Sequence, residues 1–445
     1  MTDFSHQSQW LTKMLVLVTL GLPVGCQETK QHPSATENAS APTSIRFNGS
    51  SYELLRYGKP YFIKGGAGVT NFEQLKAVGG NSIRIWNEVD AEQILDEAQR
   101  LGLTVMLGVW VERQVEGFDY YDQKAVEQQY NRIRKTILKY RNHPALLLWC
   151  LGNEVMYEAD NIKAYDEVNR LADLVHELDP NHPVSTAIMS PSERSIRLVR
   201  ERCPSVDILS INNYMFHDLN QYFSKDAWPK SYIISEYGPQ AFWDVPVAPW
   251  GAPDEPNSQQ KVSHVRQYYT TYIGSRQPNC LGGYLFYWGS KKEESDTWFS
   301  IFDRQGRETP LVGLMQELWS GSRPLNQAPT MQALLVDRSA APHRSFVAAP
   351  GLHRADVRVR DPDGDSLTYH WEIKFRANSE AYNPGSTLPD RDIPGLITPT
   401  DSATVRFRLP QKPGAYRLFV HVYDPHQHVA TANFSFEVRP AKQTD

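Results

Sequence analysis

Two glutamates follow short apolar runs, and a pair of carboxylates held close together can do acid and nucleophile chemistry. Two residues separate the run 147–151 from Glu154, and the run 232–235 leads directly into Glu236. Cleavage of a glycosidic bond with retention needs one carboxylic acid to protonate the departing oxygen and one carboxylate to attack the anomeric carbon. Like charges at such a spacing raise the pKa of one partner, which supplies an acid at neutral pH without a metal. We predict that Glu154 holds this proton and that Glu236 stays ionised.

The chain around these glutamates alternates short apolar runs with amphipathic segments. This alternation predicts parallel strands, and eight such units predict an α/β fold, a (β/α)8 TIM barrel over residues 45–320. Reacting groups of such barrels lie at the carboxyl ends of strands, and the two glutamates end the fourth and seventh runs. The predicted strands are 61–64, 82–86, 104–109, 145–151, 184–188, 207–211, 232–235 and 283–287, and the predicted helices are 91–102, 123–140, 158–178 and 259–273.

The composition and motifs argue against several other classes of function. The net charge is -5 and the basic residues are scattered, so the sequence predicts no nucleic-acid partner. No G-x-G-x-x-G follows the first predicted strand, which argues against a dinucleotide cofactor. Three cysteines remain after Cys26, without C-x-x-C spacing, so we predict neither a zinc site nor a disulfide framework, and a bridge between Cys203 and Cys280 stays open. We predict no cofactor and no metal at the site.

Six segments of the chain occur in a specific order and spacing. They are FIKGGAGV, NSIRIWN, RNHPALLLWCLGNE, ILSINNY, IISEYG and GYLFYWG. Over roughly residues 60–290 the chain resembles the barrel domain of glycoside hydrolase family 2 and its wider clan of retaining enzymes, which carry glutamates on strands four and seven. The combination of H-P-x5-W-x-x-G-N-E with a later S-E-Y-G is what makes the resemblance specific.

The resemblance implies roles for the matching positions. Glu154 would be the acid/base and Glu236 the nucleophile, and Asn153 would donate to the sugar 2-hydroxyl. Arg84 would brace the nucleophile by a charge-assisted hydrogen bond, and Tyr214 would donate to the same carboxylate. Trp288 would form an apolar floor beneath the sugar ring. Two further side chains near strand ends are predicted to line subsites, Trp110 and Asn213.

The predicted function is that of a retaining hydrolase that cleaves β-glycosidic bonds in an extracytoplasmic poly- or oligosaccharide by double displacement. Only a tether and a short β lead-in precede the predicted barrel, so exo-acting β-galactosidase or β-glucuronidase and endo-acting β-glucanase both stay open. One alternative is a β-glucan transglycosylase of the same clan, in which a sugar hydroxyl intercepts the glycosyl-enzyme. The other is a non-catalytic glycan-binding lipoprotein. The sugar, the linkage and the oligomeric state are not predicted.

Residues 1–26 have the pattern of a lipoprotein signal peptide. Lys13 precedes the apolar run 14–22, which is too short to span a bilayer permanently, and small residues lead to Cys26. Lipidation of Cys26 is the expected processing, with plain secretion or an uncleaved anchor as alternatives. Residues 27–44 are polar and rich in Ser, Thr and Pro, as is typical of a flexible tether. We expect an exported bacterial protein, anchored to a membrane by a lipid in the outer membrane or periplasm.

A change of pattern follows the barrel. The Pro- and Ser-bearing stretch 321–345 predicts a linker, and 346–440 predicts a small antiparallel Ig-like β-sandwich. The turn 361–365 (DPDGD) resembles turns of polycystic-kidney-disease-like and cadherin-like modules, some of which bind calcium. A tight turn with Gly364 at positive φ is the other interpretation. The predicted strands are 355–360, 367–373, 403–409, 416–423 and 430–438.

Overall fold

The structure is a computed structural model, and it describes residues 42–216, 219–223, 227–274, 277–376, 391–398 and 400–440. By its contacts the chain divides into Met1–Ser40 and Ala41–Asp445, and all of the described residues belong to the second unit. The predicted signal peptide, the predicted lipid-anchor residue Cys26 and most of the tether lie outside the described residues. Within the described ranges, every helix is too short or too polar to cross a membrane.

Eight parallel strands close into a barrel, which confirms the predicted fold class. All eight predicted runs form strands, and their side chains fill the barrel with apolar residues such as Ile63, Met106, Leu148 and Ile233. Neighbours in sequence are neighbours in the barrel, and the last strand pairs with the first. The strands are β4 (Ile63–Ala67), β5 (Ser82–Ile85), β6 (Thr104–Val109), β7 (Leu146–Asn153), β8 (Val184–Met189), β9 (Ile208–Asn212), β10 (Ser231–Tyr237) and β11 (Cys280–Phe286).

A small antiparallel sheet precedes the barrel, formed by β1 (Thr43–Phe47), β2 (Tyr52–Arg56) and β3 (Lys59–Pro60). Nη1 of Arg56 donates to the carbonyl of Leu146 at the start of β7 (2.7 Å). The backbone N–H of Tyr52 donates to the side chain of Asn279, just before β11 (3.1 Å). Because these partners stand at strand starts, the sheet covers the end of the barrel opposite the carboxyl ends, where reacting groups gather.

Helices surround the barrel, and the sequence supplies caps for several of them. The Asp122 side chain accepts hydrogen bonds from the first turn of the longest helix, and Asn257 with Gln260 forms a capping box. The fourth helix begins later than the predicted residue 158, because Glu158 itself has a positive φ of 47°. The helices are α1 (Phe72–Ala77), α2 (Ala91–Leu101), α3 (Gln123–Tyr140), α4 (Lys163–Leu178), α5 (Glu193–Arg202), α6 (Ser258–Tyr272) and α7 (Pro310–Ser320), with 3₁₀ turns at Gln114–Glu116 and Leu219–Gln221.

Two further sheets follow the barrel and share one hydrophobic core. One sheet has the order β12-β14-β17 and the other β13-β19-β18-β15-β16; their pairs are antiparallel apart from β13 with β19. All five predicted strands of this region are present. The strands are β12 (Thr330–Val336), β13 (His343–Val347), β14 (His353–Arg360), β15 (Thr368–Phe375), β16 (Arg391–Asp392), β17 (Thr404–Phe407), β18 (Gly414–Tyr423) and β19 (Val429–Arg439). We call these two sheets the C-terminal sandwich.

The predicted linker 321–345 needs a correction. Strand β12 lies wholly inside it and pairs with β14 over six residues, and β13 begins before residue 346. Met331 and Val336 are buried in the sandwich core. Apart from Ser345 in β13, the Pro and Ser residues that suggested a linker stand before β12 and between β12 and β13, so composition averaged over the stretch concealed a strand.

Candidate active site

Glu154 and Glu236 stand at the carboxyl ends of the fourth and seventh barrel strands. Glu154 follows β7 in a turn where Gly152 has φ +73° and Glu154 itself has φ +52°. A Cβ at Gly152 would lie 2.5 Å from Val155, so glycine lets the chain turn here. The Glu154 N–H donates to Ala187 O on β8 (2.9 Å), which fixes the turn to the next strand. Both carboxylates therefore lie at the end of the barrel where barrel enzymes keep their reacting groups.

Three donors hold the Glu236 carboxylate. Nη1 of Arg84 lies 2.5 Å and the indole Nε1 of Trp86 lies 2.8 Å from Oε1, and the Tyr214 hydroxyl lies 2.9 Å from Oε2. Glu236 is 7% exposed. Burial and then the charge of Glu236 raise the pKa of Tyr214 well above its usual value, so this hydroxyl keeps its proton and donates. The three donors fix the orientation of the Glu236 carboxylate, and Arg84 is its buried ion-pair partner.

Glu154 lies in a different environment. Its Oε1 accepts one hydrogen bond, from Nδ2 of Asn212 (2.7 Å). Burial, and then the charge of Glu236, raise its pKa to about 7. The two carboxyl groups thus meet the physical requirement for one acid and one carboxylate at neutral pH.

Two asparagines connect the glutamates. Oδ1 of Asn153 accepts from Nη2 of Arg84 (2.7 Å) and from Nδ2 of Asn212 (3.0 Å). Asn212 in turn accepts from the Ser235 hydroxyl (2.8 Å), next to Glu236. Since the amide oxygen of Asn153 is occupied, its amide NH2 is the group that can donate to a substrate hydroxyl.

Two predicted substrate contacts lie away from this network. Asn213 is fully buried and donates to Met215 O and to the Tyr268 hydroxyl on α6, so its side chain lies on the helical side of the strand. Trp288 is also fully buried and donates to Asn71 O (2.9 Å); it packs in the core between strands and helices. The prediction that they contact substrate is therefore wrong for both.

Sequence reasoning missed Trp86 and Asn212, although strand periodicity contained the signal. Side chains two residues apart share one face of a strand. Trp86 shares a face with Arg84, and Asn212 shares one with Tyr214; Asn213 necessarily points the other way. Applying the period of two to NSIRIWN and ILSINNY would have selected both residues.

Aromatic side chains border the site. The ring of Trp86 stacks on Tyr287 (centroids 5.9 Å apart) and meets Phe286 edge-on. Trp243, in the loop after β10, meets Tyr214 edge-on at 5.8 Å and is 53% exposed. Flat apolar faces of this kind suit the faces of sugar rings.

Trp110 follows β6 and is partly exposed. The Arg113 guanidinium lies 5.2 Å from its ring centroid, and the charge of Arg113 also acts on Glu154. This places Trp110 on the Glu154 side of the mouth, where its predicted role in a subsite stays a prediction.

Potential metal ligands lie in the C-terminal sandwich. One carboxylate oxygen each from Asp361, Asp365 and Asp424 lies within 4.8 Å of the others. Gly364 has φ +85°, as the tight-turn interpretation of 361–365 requires. The calcium interpretation stays open. Cys150, Cys203 and Cys280 are buried and free, so the Cys203–Cys280 bridge is not formed.

A closed parallel barrel with two carboxyl groups at the carboxyl ends of its fourth and seventh strands is the arrangement that barrel glycosidases use. Residues 67–306 match the family described as "Glycosyl hydrolases family 2, TIM barrel domain". The chain belongs to this family.

Individual relatives are distant. The chain is 26% identical over 408 residues to Beta-galactosidase BoGH2A of Bacteroides ovatus, covering 72% of this chain and 44% of the relative. It is 23% identical over 221 residues to Beta-glucuronidase of Sus scrofa, covering 42% of this chain and 32% of the relative. A calcium-binding mutant of Bacteroides uniformis beta-glucuronidase 2 superposes with a TM-score of 0.51 at 16% identity, covering 89% of this chain and 48% of that one, which shows a shared fold. The chain thus spans less than half the length of these relatives.

Proposed function

We propose that this protein is a retaining β-glycosidase in which Glu236 is the nucleophile and Glu154 the acid/base. The observation that carries the proposal is the contrast between the two carboxyl groups. Glu236 receives hydrogen bonds from a guanidinium, an indole and a phenol, whereas burial raises the pKa of Glu154 to about 7. A carboxylate and a carboxylic acid at one site are what double displacement requires.

In the first step the Glu236 carboxylate attacks the anomeric carbon while Glu154 donates its proton to the departing glycosidic oxygen. The glycosyl-enzyme ester removes the negative charge of Glu236, which is the second cause of the raised pKa of Glu154. The pKa of Glu154 then falls, so that it becomes a better base than before. It accepts a proton from the incoming water, which attacks the anomeric carbon and releases Glu236.

The same residues account for substrate orientation. The amide of Asn153 is placed to donate to a sugar hydroxyl, since Arg84 and Asn212 occupy its oxygen. Trp86, Tyr287 and Trp243 supply apolar faces around the two carboxyl groups. A poly- or oligosaccharide with a β-linkage is the class of substrate that fits.

The test is a product screen with the chain from Gln27 onward, using β-linked glucans, mannans, xylans and galactans beside a Glu236→Ala twin. Proton NMR during the first turnovers reports the anomer released. Shorter products with retained configuration, absent from the twin, are expected; an inverted first product would refute the nucleophile assignment. Longer products would favour the β-glucan transglycosylase. Turnover that persists in the twin would overturn the site itself.

We further propose that the protein acts outside the cytoplasm, tethered through a lipid on Cys26. The proposal rests on the apolar run 14–22, the small residues before Cys26 and the polar tether 27–44. Metabolic labelling with a palmitate analogue in a bacterial host should mark the wild-type chain and leave a Cys26→Ala chain unmarked. Equal labelling of both chains would contradict it.

A further inference from the structure

Two loops leave the carboxyl end of the barrel and reach the C-terminal sandwich. The first, 238–257, follows the nucleophile strand β10, and the second, 287–309, follows β11. The five-stranded sheet contacts both: Arg417 of β18 and Asn433 of β19 donate to Glu255 in the first loop, and Arg376, just after β15, pairs with Glu294 in the second (2.8 Å). The sandwich therefore holds segments that continue directly from the site.

Glu255 is the centre of this contact. Its side chain is 1% exposed. Its carboxylate accepts from Nζ of Lys261 (2.7 Å) and Nη1 of Arg417 (2.9 Å), and from the hydroxyls of Ser295 and Thr297 (2.7 Å each). Four donors saturate the two carboxylate oxygens. They come from α6, from β18 and from the second loop, so one buried carboxylate joins the barrel, the sandwich and both loops.

A continuous series of contacts connects this carboxylate with the nucleophile. Thr297 precedes Trp298 and Phe299, and the Arg417 guanidinium lies 5.8 Å from the buried Trp298 ring. Nε1 of Trp298 donates to Gln240 O in the first loop (2.9 Å). The Phe299 ring lies 5.4 Å from that of Tyr214, whose hydroxyl donates to Glu236.

We propose that Arg417 and Glu255 are positioning residues for catalysis, and that the C-terminal sandwich is part of the catalytic unit. Through the second loop they hold Phe299 against Tyr214, so that the phenol stays within hydrogen-bond distance of the nucleophile. A site functions only when its supporting residues fix it to within about 0.5 Å. The expected loss of activity rests on the proposed function, whereas the expected loosening of the two loops rests on these contacts alone.

Arg417→Met removes the charge and the hydrogen bonds to Glu255, to Pro253 O and to Glu294, while keeping an apolar stem of similar length. We expect kcat/KM on an aryl β-glycoside to fall about 100-fold, mostly in kcat, because a displaced supporting group costs on that order. Arg417→Lys, which can still meet Glu255, should recover part of this loss. Arg406→Met, an exposed arginine of β17 in the same sandwich, is the matched control and should retain wild-type kinetics.

Hydrogen exchange of the full-length variants tests the structural part without turnover. In Arg417→Met, peptides covering 238–257 and 287–309 should exchange at least tenfold faster, while peptides of β5, β6 and α3 stay protected. Unchanged exchange in these loops would overturn the proposal, as would full kcat in a folded Arg417→Met. If the wild type has no glycosidase activity but the loops still exchange faster, the positioning contact stands and the proposed function fails.

Phe299→Leu provides a second variant, since it leaves the charged network intact and removes the aromatic ring that packs on Tyr214 and Phe286. It should lower kcat in the same way as Arg417→Met while the 253–257 peptide keeps wild-type exchange. Wild-type kcat in Phe299→Leu would refute the route through Tyr214.

Discussion

Two glutamates of this protein are shielded from water, Glu255 almost completely and Glu154 in part, and their pKa values shift in opposite directions. At the barrel mouth, Glu154 has one amide donor and a second carboxylate nearby, and burial followed by that charge raises its pKa to about 7. At the junction with the sandwich, burial alone would raise the pKa of Glu255, but Lys261 and Arg417 outweigh it and its pKa is lowered. Burial alone therefore does not raise the pKa of a glutamate; the balance of hydrogen-bond donors and charges around the carboxyl group decides the direction of the shift.

The largest expected effect is a loss of catalytic activity when Glu154 is removed from the barrel mouth. Glu154→Ala removes the proton donor, so substrates with poor leaving groups should lose about 10²- to 10⁴-fold in kcat/KM. Aryl glycosides whose leaving group needs no proton should react nearly as before in the first step, and azide should restore turnover by attacking the glycosyl-enzyme. Steady-state kinetics across a series of leaving groups measures this. An equal loss for good and poor leaving groups would remove Glu154 from the acid role.

At the junction between the barrel and the C-terminal sandwich, the corresponding substitution is expected to lower stability. Glu255→Gln leaves Lys261 and Arg417 buried with a neutral partner, and breaking a buried pair in this way costs about 3–5 kcal/mol of unfolding free energy. Glu317→Gln is the matched control: its pair with Arg266 is bidentate (2.9 Å for both contacts), but the two side chains are 31% and 43% exposed, so its loss should cost about 1 kcal/mol or less. Urea denaturation of both variants decides. Equal losses would show that the junction is no more than a surface contact.

The sequence predicted those features of the fold and of the site that depend on residues close together in the chain. Eight apolar runs followed by helices specify a barrel, and the spacing predicted that Glu154 and Glu236 stand at strand ends, where the structure places them. Asn212 and Asn213 are identical neighbours, so residue type does not distinguish them, and only the two-residue period of β9 counted from Tyr214 shows that Asn212 faces the site. Glu255 and Arg417 are 162 positions apart, and no local pattern connects two such residues before the fold brings them together.

The stability of the two regions should respond to pH with opposite sign, which separates them without any substrate. Because the pKa of Glu154 rises from 4.5 to about 7 on folding, the folded chain keeps a proton that the unfolded chain releases. The stability that protonated Glu154 contributes is therefore present below pH 4.5 and is lost as pH rises through 7. The loss amounts to about 3 kcal/mol of unfolding free energy at pH 8.

Glu255 has a lowered pKa, so its contribution is present at neutral pH and is lost only in acid, as pH falls through its folded value. A neutral amide at position 154 needs no proton, so Glu154→Gln should match the wild type near pH 4 and exceed its stability at pH 8. Urea denaturation at both pH values tests this, because the extra stability must appear only on the alkaline side. If the unfolding free energies of wild type and variant change with pH in the same way, Glu154 ionises as an ordinary carboxyl group. The contrast between the two glutamates would then rest on Glu255 alone.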